Sequence, residues 1–374
     1  MKKLIFLCLM LIPLIVQAGT VKVEPVDRQI MHHIFNAEWQ RADSLLEHQI
    51  KLHPNHPKYY FLKTPFYFYT RYFTQTFPRD SALQLVAEYA QKAIDIGEEL
   101  EQTTEIKFYL GCANGYLSRA QMLLGEYWDG FWSGRDSRNY LEEVVEENPN
   151  CCDAYLGLGA AEYYADVSIT GFYSFLVWLG GMSGDRQTGL DYFKKVAEKG
   201  ELFRGEANFI LGLLYRFYEN DLVQAHSYLS KLQAQFPNNR FILNQFQQSL
   251  LAKAIEEKGV EFLEAEIDSL QSRYQVNNSF VLNGMGYSFL NQERLDDALV
   301  VFQVNLKLYP DEANPYDSLA ECYMRRDENE LAIKYYRMAF EKLPHDQTIN
   351  EQFRERLKNS IKERLSELGA EVNT

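Results

Sequence analysis

Nowhere in these 374 residues is there a phosphate-binding loop, a nucleophile elbow, an HExxH pair or a dinucleotide fingerprint. Each of those motifs is a geometry that one kind of chemistry requires, so their joint absence removes the usual marks of nucleotide, acyl-transfer and zinc-hydrolase enzymes. "GLGAAE" at 157–162 supplies two glycines, but no strand precedes it. Basic charge is also short: 38 Lys and Arg stand against 52 Asp and Glu, a net of −14. Such a chain does not track nucleic acid or anionic lipid by charge. Five cysteines are too few for a disulfide framework, and their spacing suits no zinc site. Strand-like alternation of any useful length is missing too. No enzyme activity, cofactor or metal is expected, and no nucleic-acid partner.

Long apolar runs are equally scarce. Two are conspicuous, and both fall short of the roughly 20 residues that a membrane span needs. The first is Leu4–Val16, which follows Lys2 and Lys3 and leads into Val16-Gln17-Ala18. That is the pattern of a cleaved secretory leader over 1–18, with a mature chain from about Gly19 in the periplasm or outside a Gram-negative-like cell. Without Lys2 and Lys3 the net charge is −16. Cys112, Cys151, Cys152 and Cys322 remain; Cys112 could pair with Cys151 or Cys152 in an oxidising compartment, but free thiols are the default. The second run, "ITGFYSFLVWLGGM" at 169–182, is interrupted by three glycines. No transmembrane segment is expected once the leader is gone; peripheral association with the envelope stays open.

What is present is a period. Leu282, Met285, Gly286, Phe289, Ala298, Phe302 and Pro310 recur at a constant displacement of 34 as Tyr316, Leu319, Ala320, Tyr323, Ala332, Tyr336 and Pro344. This large-small-aromatic, then small-aromatic-proline order is the tetratricopeptide pattern. Small side chains let two antiparallel helices approach, aromatics fill the space beside the crossing, and proline stops the second helix. The alanine-to-proline interval of 12 returns at Ala42–Pro54 and Ala225–Pro237, with Ser137–Pro149 alongside. From Ala113 to Ser137 the interval between the two small positions is 24 instead of 12. The stripe of Phe353, Leu357, Ile361, Leu365 and Leu368 marks a terminal cap with one apolar side. The chain therefore reads as all-α, a right-handed solenoid of helical hairpins: divergent repeats over 19–277, two regular repeats over 278–346 and a capping helix over 347–374.

The second apolar run can now be placed. Gly159 and Gly189 occupy the two small positions of one hairpin, yet the interval between them is 30, where regular copies have 12. The hairpin carries an apolar insertion at about 166–184. Burial against the solenoid is the plainer use for it. The sharper one is a contact surface, formed with aromatics on the flanking helices: Trp128, Trp132, Tyr163 and Tyr164, joined by Phe172, Phe175 and Trp178 of the insertion. Trp and Tyr bring large area at small entropic cost to recognition surfaces.

"FYLGCANGYLSRAQMLLGEYWDGF", "DAYLGLGAAEYYADV" and "GGMSGDRQTGLDYFKKVAEKG" together resemble a group of secreted bacterial tetratricopeptide proteins, and more distantly the eukaryotic inclusion-body-clearance tetratricopeptide family. The shared features are Gly157 and Gly159, the apolar Phe172–Leu179, Ser183-Gly184-Asp185-Arg186 and Gly189-Leu190. The resemblance implies an interaction protein without catalysis. The leader departs from the eukaryotic pattern. The Lys/Asn carboxylate clamp of tetratricopeptide co-chaperones has no counterpart in the two regular repeats, which carry Tyr287 and Glu321 after the small position. The resulting expectation is an envelope scaffold that holds a peptide or protein on its concave face. The rival is a carrier or sensor of an apolar small molecule, such as an acyl chain, under residues 169–182.

Two other clusters point to structure. His32, His33, His48, His53 and His56 lack the i, i+4 spacing that puts two imidazoles on one helix face. "YYFLKTPFYFYTRYF" at 59–73 has nine aromatics in no period, as a helix buried on most sides would.

Overall fold

The computed structural model describes residues 20–74, 78–167 and 184–371. The expected leader at 1–18 and the apolar run at 169–182 lie outside them. Among the described residues there is no strand; helices follow one another as antiparallel hairpins. None of these helices is long and apolar enough to cross a membrane. The chain divides into two units, Met1–Leu211 with Ala234–Asn239, and Gly212–Gln233 with Arg240–Thr374.

The helices of the first unit are α1 (Pro25–Phe35), α2 (Trp39–Leu52), α3 (Pro57–Thr74), α4 (Arg79–Glu98), α5 (Thr104–Leu124), α6 (Tyr127–Glu147), α7 (Tyr155–Val167) and α8 (Arg186–Lys199), followed by the start of α9 (Arg204–Phe217). Their ends follow from local chemistry. Glu24 and Asp27 form a capping box around Pro25 at the head of α1. The Thr103 hydroxyl caps α5, and Gly125 ends it at φ +87°. Asp185 caps α8 through the Thr188 amide.

The second unit holds α10 (Leu222–Gln235, up to Gln233), α11 (Arg240–Lys258), the short α12 (Phe262–Ala265) and α13 (Leu270–Tyr274), α14 (Ser279–Asn291), α15 (Leu295–Leu308), α16 (Ala313–Arg325), α17 (Asn329–Lys342) and α18 (Glu351–Glu367). Both ends of α14 and α15 recur, displaced by 34, in α16 and α17. Gly286 shows why its position is small: a Cβ there would lie 2.4 Å from the Phe302 ring. On α18, Leu357, Ile361 and Leu365 are buried, and Phe353 meets Phe280 at 5.7 Å.

A backbone signature runs beneath the divergent copies. Ala37, Asn220, Glu293 and Asp327 all have φ between 53° and 60°, each two residues before the second helix of its hairpin. Each also stands five residues before Ala42, Ala225, Ala298 or Ala332. Left-handed backbone is costly for such residues, so the turn geometry is imposed by the crossing that follows. Gly125 takes the same place between α5 and α6.

That alignment divides the twelve extra residues of the Ala113–Ser137 interval: five precede Gly125 on α5, which has 21 residues where α14 has 13, and seven follow it on α6. The α6 helix has 21 residues where α15 has 14. Seven added residues are close to two turns at 3.6 per turn, so the inward face is preserved. The extra length lengthens the hairpin without forming a loop. A second close crossing appears: Gly111 and Gly115 face Leu141 and Ser137, while Gly130 and Gly134 face Met122 and Ser118.

The core of the first unit is aromatic. Most of α3 is buried, as its unperiodic aromatics predict. Phe35 of α1 packs on Tyr69 and Phe73 of α3, on Phe209 of α9 and on Phe236. Phe203 meets Phe61 and Phe108. The N-terminal helix is therefore tied to distant chain near the end of the unit. Asn239 donates to the Phe35 carbonyl at 2.8 Å, and the Asn238 amide donates to Asn36 at 3.1 Å. Buried Asp153 accepts amides of Glu201, Leu202 and Phe203 at 2.8–3.1 Å, fixing the entry to α9.

Candidate functional site

The turn between α5 and α6 presents apolar side chains to solvent. Gly130, Ser133, Gly134 and Ser137 take the face of α6 turned to α5, through contacts with Met122, Gln121, Ser118 and Gly111. Trp128 and Trp132, one turn apart, are left on another face. They remain 49% and 39% exposed, with Tyr127 at 51% and Leu123 at 38% beside them. Large apolar groups grouped this way are uncommon on a surface without use for them.

The patch is held in place. The two indoles meet edge to face at 5.8 Å, and Trp132 rests on Phe131, which is buried, at 5.4 Å. The Arg135 guanidinium lies 5.2 Å from the Trp132 ring centre. Arg79 donates to the Leu123 carbonyl at 2.7 Å, linking the turn to the head of α4. Preordered aromatics with a cation at their rim can grip a peptide or protein surface at little ordering cost.

Of the residues singled out from the sequence, the fold brings Trp128 and Trp132 together. Tyr163 is fully buried between α7 and α8, against Tyr164 and Phe193, so it offers no surface. Tyr164 is half-buried. Phe172, Phe175 and Trp178 lie outside the described residues. Leu123, Tyr127 and Arg135 join the patch unannounced by any motif; the signal for them is the turn at Gly125, which fixes the start of α6.

Buried charges in the first unit are matched internally. Lys58 bonds Asp27 at 3.1 Å, and Lys63 reaches Asp43 and Glu47 at 2.6 Å each. Buried Glu206 accepts from the Tyr116 hydroxyl at 2.7 and 2.9 Å and from Arg119 at 3.3 Å. Burial lowers the Arg119 pKa, but Tyr69, Glu206 and Tyr116 outweigh it and raise the net value. The histidines are dispersed: His33 meets Glu38, His53 stacks on Tyr59 and His56 on the edge of Tyr109. In the second unit, Tyr287 donates to Glu321 at 2.8 Å, closing the place where a carboxylate clamp would sit. The four described cysteines are free thiols.

The repeat period and the crossings at Gly286 and Gly159 decide the repeat type. The chain is built of tetratricopeptide-type hairpins. No family profile and no curated protein sequence matches it. Solved structures with a similar run of helices include the Cut9–Hcn1 hetero-tetramer of the APC/C (13% identity, TM-score 0.38, 88% of this chain and 54% of that one). The yeast Tom70 structure is 10% identical, with TM-score 0.32, over 90% of this chain and 87% of that one. The P58(IPK) TPR domain is 13% identical, with TM-score 0.24, over 91% and 98%. The chain spans about half the length of the Cut9–Hcn1 chain it matches. At these identities and scores the hairpin assignment stands on the chain's own period and packing.

Proposed function

We propose that the protein is a non-catalytic scaffold of the bacterial cell envelope, periplasmic or secreted, that binds a peptide or protein partner. The observation that carries the reading is the ordered, exposed aromatic patch at Trp128 and Trp132. The leader-like residues 1–18 support the location, and helical hairpins whose buried charges in the first unit are matched internally support a role in contact over chemistry. In this reading the partner contacts each unit on the hairpin surface that its own packing leaves open. In the first unit the facing helices α1, α3, α5 and α9 are already joined by aromatic packing, so the patch at the α5/α6 turn is the primary contact there. In the second unit Phe280, 44% exposed, offers a contact of its own. Phe175 and Trp178 of the insertion are further contacts in this reading.

A photo-cross-linking residue at Trp128, in full-length protein expressed in its own envelope, tests this. One defined partner should be captured, and Trp132→Ala should abolish the capture while far-ultraviolet circular dichroism and melting stay unchanged. Capture of the same products by a cross-linker on the exposed face of α18, or indifference to Trp132→Ala, would refute the patch as the contact.

A further inference from the structure

We propose that a cleft beside the N-terminal helix is a binding site for an amphiphilic carboxylate, one anionic head on an apolar body. The cleft measures about 630 Å³, in the range that holds a small organic ligand. It lies within the first unit, between α1, the entry to α9 and the segment at 235–236.

The helix geometry makes the cleft two-natured. Arg28, Met31, His32 and Phe35 are spaced i, i+3, i+4, i+7, so one stripe of α1 lines it, while Asp27, Ile30 and Ile34 turn inward. Met31, Phe35 and Phe236 line its bottom, with 4%, 1% and 3% of each left exposed as a narrow apolar floor. Gly205 makes that floor possible: a Cβ there would lie 2.9 Å from the Phe236 ring, which instead lies close on bare backbone. The His32 imidazole stands over the floor, 5.4 Å from Phe236.

Charge selects the head group. Arg28 is answered by Glu201 at 2.7 Å. Arg204 spends its Nε on the Gly200 carbonyl at 3.1 Å, and its two terminal nitrogens have no partner among the described residues. The lining thus holds two guanidinium groups against one carboxylate. Arg204 is exposed at the rim of the cleft, and in a chain of net charge −14 this local excess of one guanidinium favours an anion there. A guanidinium fork with both terminal nitrogens free suits a carboxylate, which accepts two parallel bonds. The floor suits an aryl or alkyl body. This cleft is separate from the patch at the α5/α6 turn, so either assignment can fail without the other.

The test uses full-length protein and 4-phenylbutyrate as probe, with 4-phenylbutanol (same body, no charge) and butyrate (same head, no ring) as controls, followed by titration calorimetry and ligand-observed nuclear magnetic resonance. The acid should bind at least about tenfold tighter than the alcohol or butyrate, the loss expected when a charged hydrogen bond is removed. Arg204→Gln should bring the acid down to the level of the alcohol, and Met31→Trp, which fills the floor, should remove both. Alanyl-alanyl-phenylalanine and its C-terminal amide separate the two sources of such a carboxylate. Binding of the free peptide beside the acid assigns the site to chain termini, and binding of the acid alone assigns it to small molecules. Equal binding of acid and alcohol, or binding unchanged by Arg204→Gln in a protein that melts normally, would overturn the proposal.

Discussion

A Cβ on Gly189 would stand 2.9 Å from the carbonyl oxygen of Gly159 and 2.7 Å from the backbone nitrogen of Tyr163. Two glycines far apart in the chain thus form one helix crossing with backbone against backbone. The neighbours that a side chain would meet are main-chain atoms and the Tyr163 Cβ, none of which can rotate aside. Gly189→Ala should therefore force α7 and α8 apart and destabilise by about 1–3 kcal/mol. Gly284 in α14 is the control, since nothing lies within 4 Å of its Cβ position. There the better helix propensity of alanine should stabilise by about 0.5–1 kcal/mol. Urea midpoints of the two variants should move in opposite directions; movement of both the same way would contradict the crossing.

Lys63 should respond asymmetrically to loss of itself and loss of its partners. Its side chain is 1% exposed, whereas Asp43 and Glu47 are 46% and 47% exposed. Burial pulls the amine pKa down, but the two carboxylates outweigh this and the net value is raised. Lys63→Met keeps the volume and returns two carboxylates to water, so it should cost less than about 1 kcal/mol. Asp43→Asn with Glu47→Gln strands a buried ammonium and should cost about 3–5 kcal/mol. Denaturant titration at neutral pH distinguishes them, and the ammonium-stranding variant should recover part of its stability at pH 11, where the amine can shed its proton.

The pH dependence of the second unit should carry the mark of Asp317. Burial and then the Glu321 charge push its carboxyl up to about 7, against a weaker opposing effect of Arg364. Its Oδ1 has no hydrogen-bond partner. A folded-state pKa above the ordinary aspartate value means that the unfolded chain ionises first. The group is neutral and costs nothing below about pH 4, it destabilises progressively from pH 4 to 7, and the penalty is constant above that. Asp317→Asn should stabilise at pH 8 by on the order of 2–4 kcal/mol and have little effect at pH 4. The wild-type-minus-variant difference in thermal melts checks this, and a difference independent of pH would reject it.

Thiol reactivity should separate the cysteines. Cys112, Cys151 and Cys322 are buried, and burial pushes the first well above its ordinary value and the others up to about 12 and about 11. Cys152 is half-buried. Only the thiolate attacks a disulfide reagent. Native protein spanning residues 19–374 should therefore release about one equivalent with dithionitrobenzoate at pH 8 and about four in denaturant. Cys152→Ser should abolish the fast equivalent.

The hairpins are legible where residue type and spacing are both constrained. Gly286, Ala298, Ala320 and Ala332 announce close crossings because no larger side chain fits, and the helix ends follow them at the same displacement of 34. The α5/α6 hairpin is harder to read. Its spacing of 24 resembles an insertion between helices, but the added residues lengthen both α5 and α6, and sequence spacing alone cannot tell added turns from a loop. The aromatic patch is half legible. Trp128 and Trp132 share a face by position, but Tyr163 looks equally suited in sequence and is buried by the Gly159–Gly189 approach.

By itself the sequence determined the helical class, the repeat length and the small positions of each crossing. Those depend on side-chain volume at fixed intervals along one helix pair, which is local information. Tertiary structure alone decided that Phe35 meets Phe236, that Asn239 bonds the Phe35 carbonyl, and that a cleft lined by Arg28 and Arg204 opens beside them. These contacts join opposite ends of the first unit's chain. Their geometry is the sum of the small rotations at every intervening crossing, and no spacing of residues records that sum.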